Sequence, residues 1–323
     1  MLRVLDLFCG AGGFSHGIMS VFKGEHLAVE IDPFPLKTYS HNYPQSRIIQ
    51  ADINTLHANE IIKALGGSPD VIIASPPCEE YSLANPTSSS PAIERIYGTG
   101  TARLFLDTIR LISDLTPQAY VIENVAALLK GGGRDVALRE FHRAGLEDVY
   151  FNLVRSHQHG NPSKRLRLFI SNIKFRLPKS KAPTVLETIG DLPSLSRDAI
   201  FSCPEPIPNH IYNTVSDEKQ KQIQKTGWGK GVKHFRASQG KTMPNWVRLY
   251  PDRYATSIIG LSRYIHPYED RLLTVREHAR LMSYPDDFIF LGPLQSQYNQ
   301  VGESVPPIIS HLIAQNIESY IEE

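Results

Sequence analysis

Four consecutive residues, Ser75-Pro76-Pro77-Cys78, place a thiol directly after a short apolar run that is typical of a buried strand. The two prolines restrict the backbone and remove two amide donors, so the cysteine is held rigidly at the end of that strand. A buried structural cysteine is the ordinary alternative. The next residues, Glu79-Glu80-Tyr81-Ser82, are not typical of a core, which favours a thiolate nucleophile at Cys78.

Two further groups of polar residues lie at the ends of predicted strands. Glu123-Asn124-Val125 ends an apolar run, so its carboxyl group would lie one strand away from Cys78. Arg165 and Arg167 precede another strand, and alternate residues share one face of an extended chain. Their guanidinium groups could bind a base carbonyl, a phosphate or an acidic neighbour.

A glycine-rich turn, Phe8-Cys9-Gly10-Ala11-Gly12-Gly13, follows the first predicted strand and opens a helix. Such glycines supply positive φ and allow close approach to a ligand, although a plain tight turn is the alternative. The spacing is not that of a pyrophosphate-binding turn. Glu30 and Asp52 end the next two strands, where carboxylates can accept hydrogen bonds from ribose hydroxyls and an adenine amino group. Together they indicate an adenosyl cofactor without a pyrophosphate, S-adenosylmethionine.

Seven apolar runs separated by helical patterns position these residues. The predicted strands are Arg3–Phe8, His26–Ile31, Arg47–Ala51, Asp70–Ala74, Ala119–Ile122, Val149–Val154 and Arg167–Ile173. Helical spacing covers 101–115, with Thr101 as N-cap and Pro117 as the stop, and returns at 274–282 and 307–320. The pattern predicts an α/β fold with a doubly wound, mostly parallel, Rossmann-like sheet. Residues 82–100 are rich in Ser, Pro and Gly and are predicted to form a mobile lid.

The sequence pattern changes after Ile173. Prolines recur there, and the hydrophobic periodicity of helices and strands is weaker. We therefore expect a cofactor-binding catalytic domain over 1–175, completed by a C-terminal helix at about 297–323. Residues 176–296 would form a second, smaller, irregular domain.

The second region carries the basic charge of the chain. Residues 174–262 hold 14 Lys and Arg against 7 Asp and Glu, a balance of +7, and the remainder is −6. Cations there alternate with aromatic residues and glycines, which suits phosphate binding. A loop held by Trp228 and Trp246 is the alternative. The predicted DNA contacts are Lys230, Lys233, Arg236, Lys241 and Arg248.

Composition excludes several classes of protein. The 323 residues are 41% hydrophobic and 21% charged, which excludes wholesale disorder. No run of 18 apolar residues occurs, so we expect no membrane span, and the N-terminus is typical of a strand rather than a signal peptide. Three cysteines indicate a reducing, intracellular setting. We predict no metal site.

The chain resembles the cytosine-5 DNA methyltransferase family, of the prokaryotic or viral modification type, in seven motifs that occur in the family order. They are DLFCGAGGFS (6–15), Glu30, SPPC (75–78), ENV (123–125), KRLR (164–167), RLLTVREHARLMSYPDDF (271–288) and QVGESVPP (300–307). The resemblance covers the chain except about 176–250, where the family has its target-recognition region.

The resemblance implies methyl transfer from S-adenosylmethionine to carbon 5 of a cytosine that is flipped out of double-stranded DNA. The catalytic residues would be Cys78, which adds to carbon 6, Glu123, which binds the ring edge, Arg165, which holds the carbonyl at position 2, and Arg167. The implied cofactor contacts are Asp6, Phe8, Gly10, Gly12, Gly13, Glu30, Ile31, Asp52, Ile53, Pro76, Ser304 and Val305. A monomer in the cytoplasm of a prokaryote, associated with the nucleoid, is expected, and a separate cognate restriction endonuclease is left open.

Three residues depart from the family pattern. Glu79 and Ser163 stand where the family usually has Gln, and Glu303 stands where it has Asn. Two other functions are alternatives. A transfer-RNA methyltransferase should carry a Cys-Phe-Thr signature, whereas Cys203 is followed by Pro204. A catalytically dead DNA-binding paralogue is disfavoured by the intact Cys78 and Glu123.

Overall fold

A computed structural model describes residues 2–78, 80, 96–98, 100–195, 207–236, 241–260 and 263–323. The largest element is a seven-stranded sheet. Its strands are β1 (Leu2–Leu7), β2 (Gly24–Glu30), β3 (Arg47–Gln50), β4 (Val71–Ala74), β5 (Ala119–Asn124), β6 (Tyr150–Arg155) and β7 (Leu166–Ser171). They are ordered β3-β2-β1-β4-β5-β7-β6, and only the pairs that involve β7 are antiparallel. The predicted mostly parallel, doubly wound sheet is confirmed.

Helices connect the strands and continue after the sheet. They are α1 (Gly13–Val21), α2 (Pro33–Asn42), α3 (Ala58–Leu65), α4 (Leu104–Leu115), α5 (Gly133–Arg143), α6 (Val185–Ile189), α7 (Asp217–Gln224), α8 (Val275–Leu281), α9 (Leu294–Glu303) and α10 (Pro307–Glu322). As predicted, α8 follows an N-cap at Thr274, whose hydroxyl forms a capping box with Glu277. Thr101 is not the N-cap of α4, because Thr101–Arg103 form a separate 3-10 turn. The helix predicted at about 297–323 is two helices, α9 and α10, because Ser304 and Pro306 interrupt it.

A second, three-stranded sheet lies within the region predicted to be irregular. It consists of β8 (Gly231–Arg236), β9 (Thr242–Arg248) and β10 (Tyr264–Ile265), ordered β10-β9-β8. β8 and β9 pair antiparallel. Most of β9 is exposed or half-buried, so it lacks the apolar alternation that would have indicated a strand.

The first and last parts of the chain meet where α10 packs against α1. A Cβ atom added at Gly17 of α1 would lie 2.1 Å from the amide nitrogen of His311 in α10, so this close approach needs a glycine. The contact holds Ser304 and Val305, which precede α10, beside the glycine turn that opens α1. Among the described residues, no helix is both long and apolar enough to cross a bilayer.

Substituting Gly17 with Ala should lower the free energy of unfolding by about 1–3 kcal/mol, because the added methyl group must displace the backbone of α10. Urea unfolding followed by circular dichroism measures the change. Gly227 is the matched control, since a Cβ there meets no atom within 4 Å. Equal stability of the two alanine variants would contradict the close packing of α1 and α10.

Candidate active site

A single cavity of about 1270 Å³ opens at the carboxyl ends of the parallel strands. This edge of a doubly wound sheet is where ligands bind. Most of the predicted site residues line the cavity: Phe8, Gly10, Gly13, Glu30, Ile31, Asp52, Ile53, Pro76, Cys78, Glu123, Arg165, Arg167, Ser304 and Val305. The structure therefore brings the predicted nucleophile and the predicted cofactor residues to one site.

Cys78 is half-buried in this cavity, and the residues on either side of it are anchored. The side-chain amide of Asn124, at the end of β5, donates a hydrogen bond to the Pro76 carbonyl at 3.4 Å. The Glu80 carboxylate accepts a hydrogen bond of 2.9 Å from the Thr101 hydroxyl. Hydrogen bonds from β5 and from the start of the 3-10 turn thus fix the segment that contains the Cys78 thiol.

Glu123 and Arg167 form an ion pair at the wall of the cavity. The Arg167 Nε and Glu123 Oε1 atoms are 2.8 Å apart, with side chains only 15% and 5% exposed. The pair keeps one carboxylate oxygen in a defined position at the wall of the cavity that Cys78 also lines. Of the roles that the sequence allowed for Arg167, binding an acidic neighbour is the one that its contacts show.

The Arg165 guanidinium is almost completely buried, and three separate parts of the chain surround it. Its Nη1 donates to the Ile258 carbonyl at 2.6 Å and to the Gly302 carbonyl at 2.9 Å. Burial, and then the neighbouring Arg167, lower the pKa of Arg165 to about 9, whereas Glu123 and Cys78 oppose that shift. The group therefore stays cationic at neutral pH and faces the cavity.

At the other end of the cavity, the Glu30 carboxylate organises the glycine turn. Its Oε2 accepts from the Gly10 amide at 3.0 Å, and its Oε1 accepts from the amides of Ile31 and Asp32 at 2.8 and 2.9 Å. Phe8 has φ 60° and Gly10 has φ 52°. A bulky residue in the left-handed region is strained and is typical of a functional turn.

The loop that follows β3 adds Asp52 and Ile53 to the cavity wall. Asp52 Oδ1 accepts from the Asn54 amide at 2.9 Å. Arg110 of α4 donates to the Ile53 carbonyl at 3.3 Å. These contacts hold the carboxylate of Asp52 at the cavity surface.

Two predicted cofactor residues, Asp6 and Gly12, do not line the cavity. Asp6 is 2% exposed and accepts a 2.6 Å hydrogen bond from the Ser15 hydroxyl. A Cβ at Gly12 would lie 2.4 Å from the Tyr43 ring. The side chain of Asp6 and the space beside Gly12 are thus occupied by other parts of the protein, and their cofactor contacts stay predictions.

The predicted DNA contacts divide into two groups. Lys230, Lys233, Arg236 and Lys241 are exposed on or beside the β8–β9 hairpin, and the Lys233 Nζ atom lies 3.9 Å from the centre of the Trp246 ring. Arg248 is 6% exposed, and its guanidinium donates to five acceptors within the protein, among them Asp270 at 2.6 Å. The prediction for Arg248 is corrected, since its donors hold the surrounding loops together.

The departures from the family pattern lie in different places. Ser163 is buried, and its hydroxyl accepts from the Asn161 amide at 2.9 Å. Glu303 lines the cavity. Glu79 lies outside the described residues, as do Cys203 and most of the predicted lid.

Sequence reasoning missed several contributors to the site. Asn124 was noted only as part of a motif, and the carbonyls of Ile258 and Gly302 carry no side-chain signature. Leu104 and Asp107, in the first turns of α4, also line the cavity. Their position directly after the predicted lid was the one available indication.

Comparison with known proteins agrees with this geometry. The family model for C-5 cytosine-specific DNA methylases matches residues 2–319. A Methanocaldococcus jannaschii protein named as a type II methyltransferase, M.MJ0563P, is 39% identical, over 99% of this chain and 100% of the relative. Type II methyltransferase M1.HphI of Haemophilus parahaemolyticus is 31% identical, over 98% of this chain and 86% of the relative. A crystal structure described as a DNA modification methyltransferase encoded within an Escherichia coli prophage matches with a TM-score of 0.74 at 23% identity, each chain being covered completely.

The fold is the mainly parallel, Rossmann-like fold of the solved methyltransferase structure that it matches. Within that class, the chain belongs to the C-5 cytosine-specific DNA methylase family and is a DNA cytosine-5 methyltransferase.

Burial raises the pKa of Asp6 to about 8, and the charge of Glu30 adds to the shift, although the Ser15 hydrogen bond opposes it. Because the folded carboxyl binds its proton more tightly than the unfolded one, its contribution to stability is full near pH 4 and is lost as pH rises towards 8. Asp6→Asn should remove this loss. We expect the free energy of unfolding to fall less between pH 5.5 and 8 in the variant, by about 1 kcal/mol or more.

Urea unfolding at the two pH values measures this difference. Parallel pH dependence in the wild type and in Asp6→Asn would contradict the buried, protonated state of Asp6.

Proposed function

We propose that this enzyme transfers a methyl group from S-adenosylmethionine to carbon 5 of a cytosine within a specific double-stranded DNA sequence. The reaction would pass through a covalent bond between Cys78 and a flipped-out cytosine. The observation that carries the proposal is the shared cavity, which Cys78, Glu123 and Arg165 line together with Glu30 and the glycine turn.

The residues around the glycine turn fit the cofactor. The Glu30 carboxylate keeps acceptor capacity for ribose hydroxyls beyond its bonds to three amides, since an ionised carboxylate has about four lone-pair sites. Asp52 would face the adenine amino group, between the apolar side chains of Ile31 and Ile53. Phe8, Gly10, Gly13, Pro76, Ser304 and Val305 would complete the contacts. When bound, S-adenosylmethionine supplies an electrophilic methyl group on a sulfonium.

The chain's own residues would activate the base. The Cys78 thiolate forms a bond to carbon 6, and the electron pair of the 5,6 double bond moves to carbon 5. Glu123, held by Arg167, accepts a hydrogen bond from the amino group, which distinguishes cytosine from thymine, and accepts one from nitrogen 3 when that nitrogen takes a proton from solvent during the addition. Arg165 holds the carbonyl oxygen at position 2. After carbon 5 accepts the methyl group, loss of its proton and of the thiolate restores the aromatic ring.

Access to carbon 6 requires the base to leave the helix, at a cost of a few kcal/mol. Phosphate contacts from the basic region would offset that cost and make binding salt-dependent. We propose residues 176–296 as the target-recognition region. Within it, the residues that contact DNA would be Lys230, Lys233, Arg236 and Lys241. The catalytic region would be 1–175 with about 297–323. We further propose a monomer in a prokaryotic cytoplasm at the nucleoid, which could act beside a separate restriction endonuclease.

Cys78→Ala should abolish methyl transfer and leave the dissociation constant for S-adenosylmethionine within about twofold. The measurement is incorporation of labelled methyl groups into genomic DNA from cells that lack cytosine methylation. DNA that contains 5-fluorocytosine should trap a covalent complex with the wild type and none with the variant. Methylation by Cys78→Ala would overturn the assignment of the nucleophile.

Glu30→Gln should weaken S-adenosylmethionine binding by about tenfold, because one charged acceptor for the ribose is lost. Isothermal titration calorimetry without DNA measures this affinity directly. Glu25, at the start of the same strand and paired with Arg47 on the surface, is the matched control as Glu25→Gln. An unchanged affinity in Glu30→Gln, or a changed DNA target, would refute the ribose contact.

A further inference from the structure

Besides the hairpin, a basic and aromatic patch lies around the loop between β6 and β7, with one member, Tyr254, from the segment that follows β9. Its members are Arg155, His157, Lys164 and Tyr254, here called the β6–β7 patch. Arg155 and Lys164 are exposed, and the rings of His157 and Tyr254 lie 5.8 Å apart. Burial lowers the pKa of His157, and the nearby cations Lys164 and Arg155 add to that shift. The patch is therefore a concentrated positive surface with an aromatic face.

The strand register places this patch at the edge of the sheet that holds the active site. β7 is antiparallel to β5, so Leu168 at its start pairs with Asn124 at the end of β5. β6 is antiparallel to β7, so its last residue, Arg155, pairs with Leu166. The patch and Glu123 consequently share one edge. β6 lies two strand spacings of about 4.8 Å from β5, a separation of about 10 Å.

The backbone fixes the patch relative to the active site. The Ser156 backbone amide donates to the Arg165 carbonyl at 2.9 Å. This bond joins the start of the loop to Arg165, the residue directly before β7. The Lys164 amide donates to the Ala255 carbonyl at 2.9 Å, and the Ala255 amide donates to the Pro162 carbonyl at 3.0 Å. Tyr254 is thereby tied to the loop, although it lies far away in sequence.

Contacts extend from the patch towards the hairpin. The Arg253 guanidinium lies 4.1 Å from the centre of the Tyr250 ring, and that ring is 6.4 Å from the Trp228 ring. Trp228 is 47% exposed and lies near Lys230 at the base of the hairpin. The exposed carboxylate of Asp252 interrupts this run. Cations and aromatic rings thus continue from the active-site edge to the proposed recognition hairpin.

We propose that the β6–β7 patch binds the sugar-phosphate backbone of duplex DNA next to the flipped cytosine, with Arg155 and Lys164 each contacting one phosphate. The proposal rests on the proposed function, since it places the same substrate. A separation of about 10 Å corresponds to about three base-pair steps of 3.4 Å, so one duplex reaches both the cavity and the patch. Clustered, exposed cations with an aromatic neighbour are suited to a polyanion.

The test is the salt dependence of binding to a 30-base-pair duplex of mixed sequence, measured by fluorescence anisotropy for Arg155→Gln/Lys164→Gln. Each phosphate contact contributes about 0.9 to the slope of log K against log salt, so the slope should fall in magnitude by about 2. The apparent KM for DNA should rise about tenfold near physiological salt, with kcat at saturating DNA within twofold of the wild type.

A matched control and a rescue variant make the result specific. Lys23→Gln/Lys63→Gln removes the same charge from exposed residues near the opposite edge of the sheet and should change the slope by less than about 0.5. Arg155→Lys/Lys164→Arg keeps both charges and should restore the slope.

An unchanged slope, or an equal fall in the control, overturns the proposal and leaves the patch to a protein partner or to general charge. Methylation of genomic DNA by the wild type is measured in parallel. If the wild type does not methylate DNA, the proposed function fails. If it does methylate DNA and the slopes are equal, only the patch assignment fails.

Discussion

The buried guanidinium of Arg165 is the constraint on which the cavity depends. A buried cation is costly unless hydrogen-bond acceptors surround it, and here the carbonyls of Ile258 and Gly302 supply them. These carbonyls come from segments 93 and 137 residues away, one after the β8–β9 hairpin and one at the end of α9. The Nη1 group of the cation has both of its acceptors only when all three segments meet, so the same contact also closes the cavity wall.

The ion pair between Arg167 and Glu123 lies at the same wall of the cavity. Arg167 leaves the same strand two residues later and meets Glu123 at 2.8 Å, so a buried carboxylate lies beside two guanidinium groups. One ion pair and one carbonyl-bound cation thus place a carboxylate and a guanidinium at fixed positions in the cavity wall. Both are attached to neighbouring strands of one sheet, which is a rigid support for positions that must hold to within a fraction of an ångström.

The parts that could be predicted from the sequence are those that the parallel sheet dictates. Cys78, Glu123 and Glu30 each follow an apolar run, and the carboxyl ends of parallel strands meet at one edge, so their convergence on one cavity needed no knowledge of side-chain packing. The strand order places β5 beside β4, as the interpretation of Glu123 required. The seven-stranded sheet was predictable for the same reason.

The rest depended on contacts between distant residues. Arg248 has the same side chain as an exposed DNA-binding arginine, and only its five internal acceptors reveal a structural role. Asp6 belongs to the glycine-turn motif, yet its side chain points to Ser15 behind the turn. Residue type and spacing do not determine which face of a turn meets the ligand, and the carbonyls that hold Arg165 have no side-chain pattern at all.

The packing of α10 on α1 has a consequence for how the enzyme is made. Ser304 and Val305 form one side of a cavity whose other side, Phe8 and Gly10, lies far earlier in the sequence. A growing chain on the ribosome therefore carries the glycine turn before the opposite wall, which is complete only after α10 has emerged. Assembly of the complete cavity thus waits for the synthesis of α10, and the glycine turn alone does not form the site during translation.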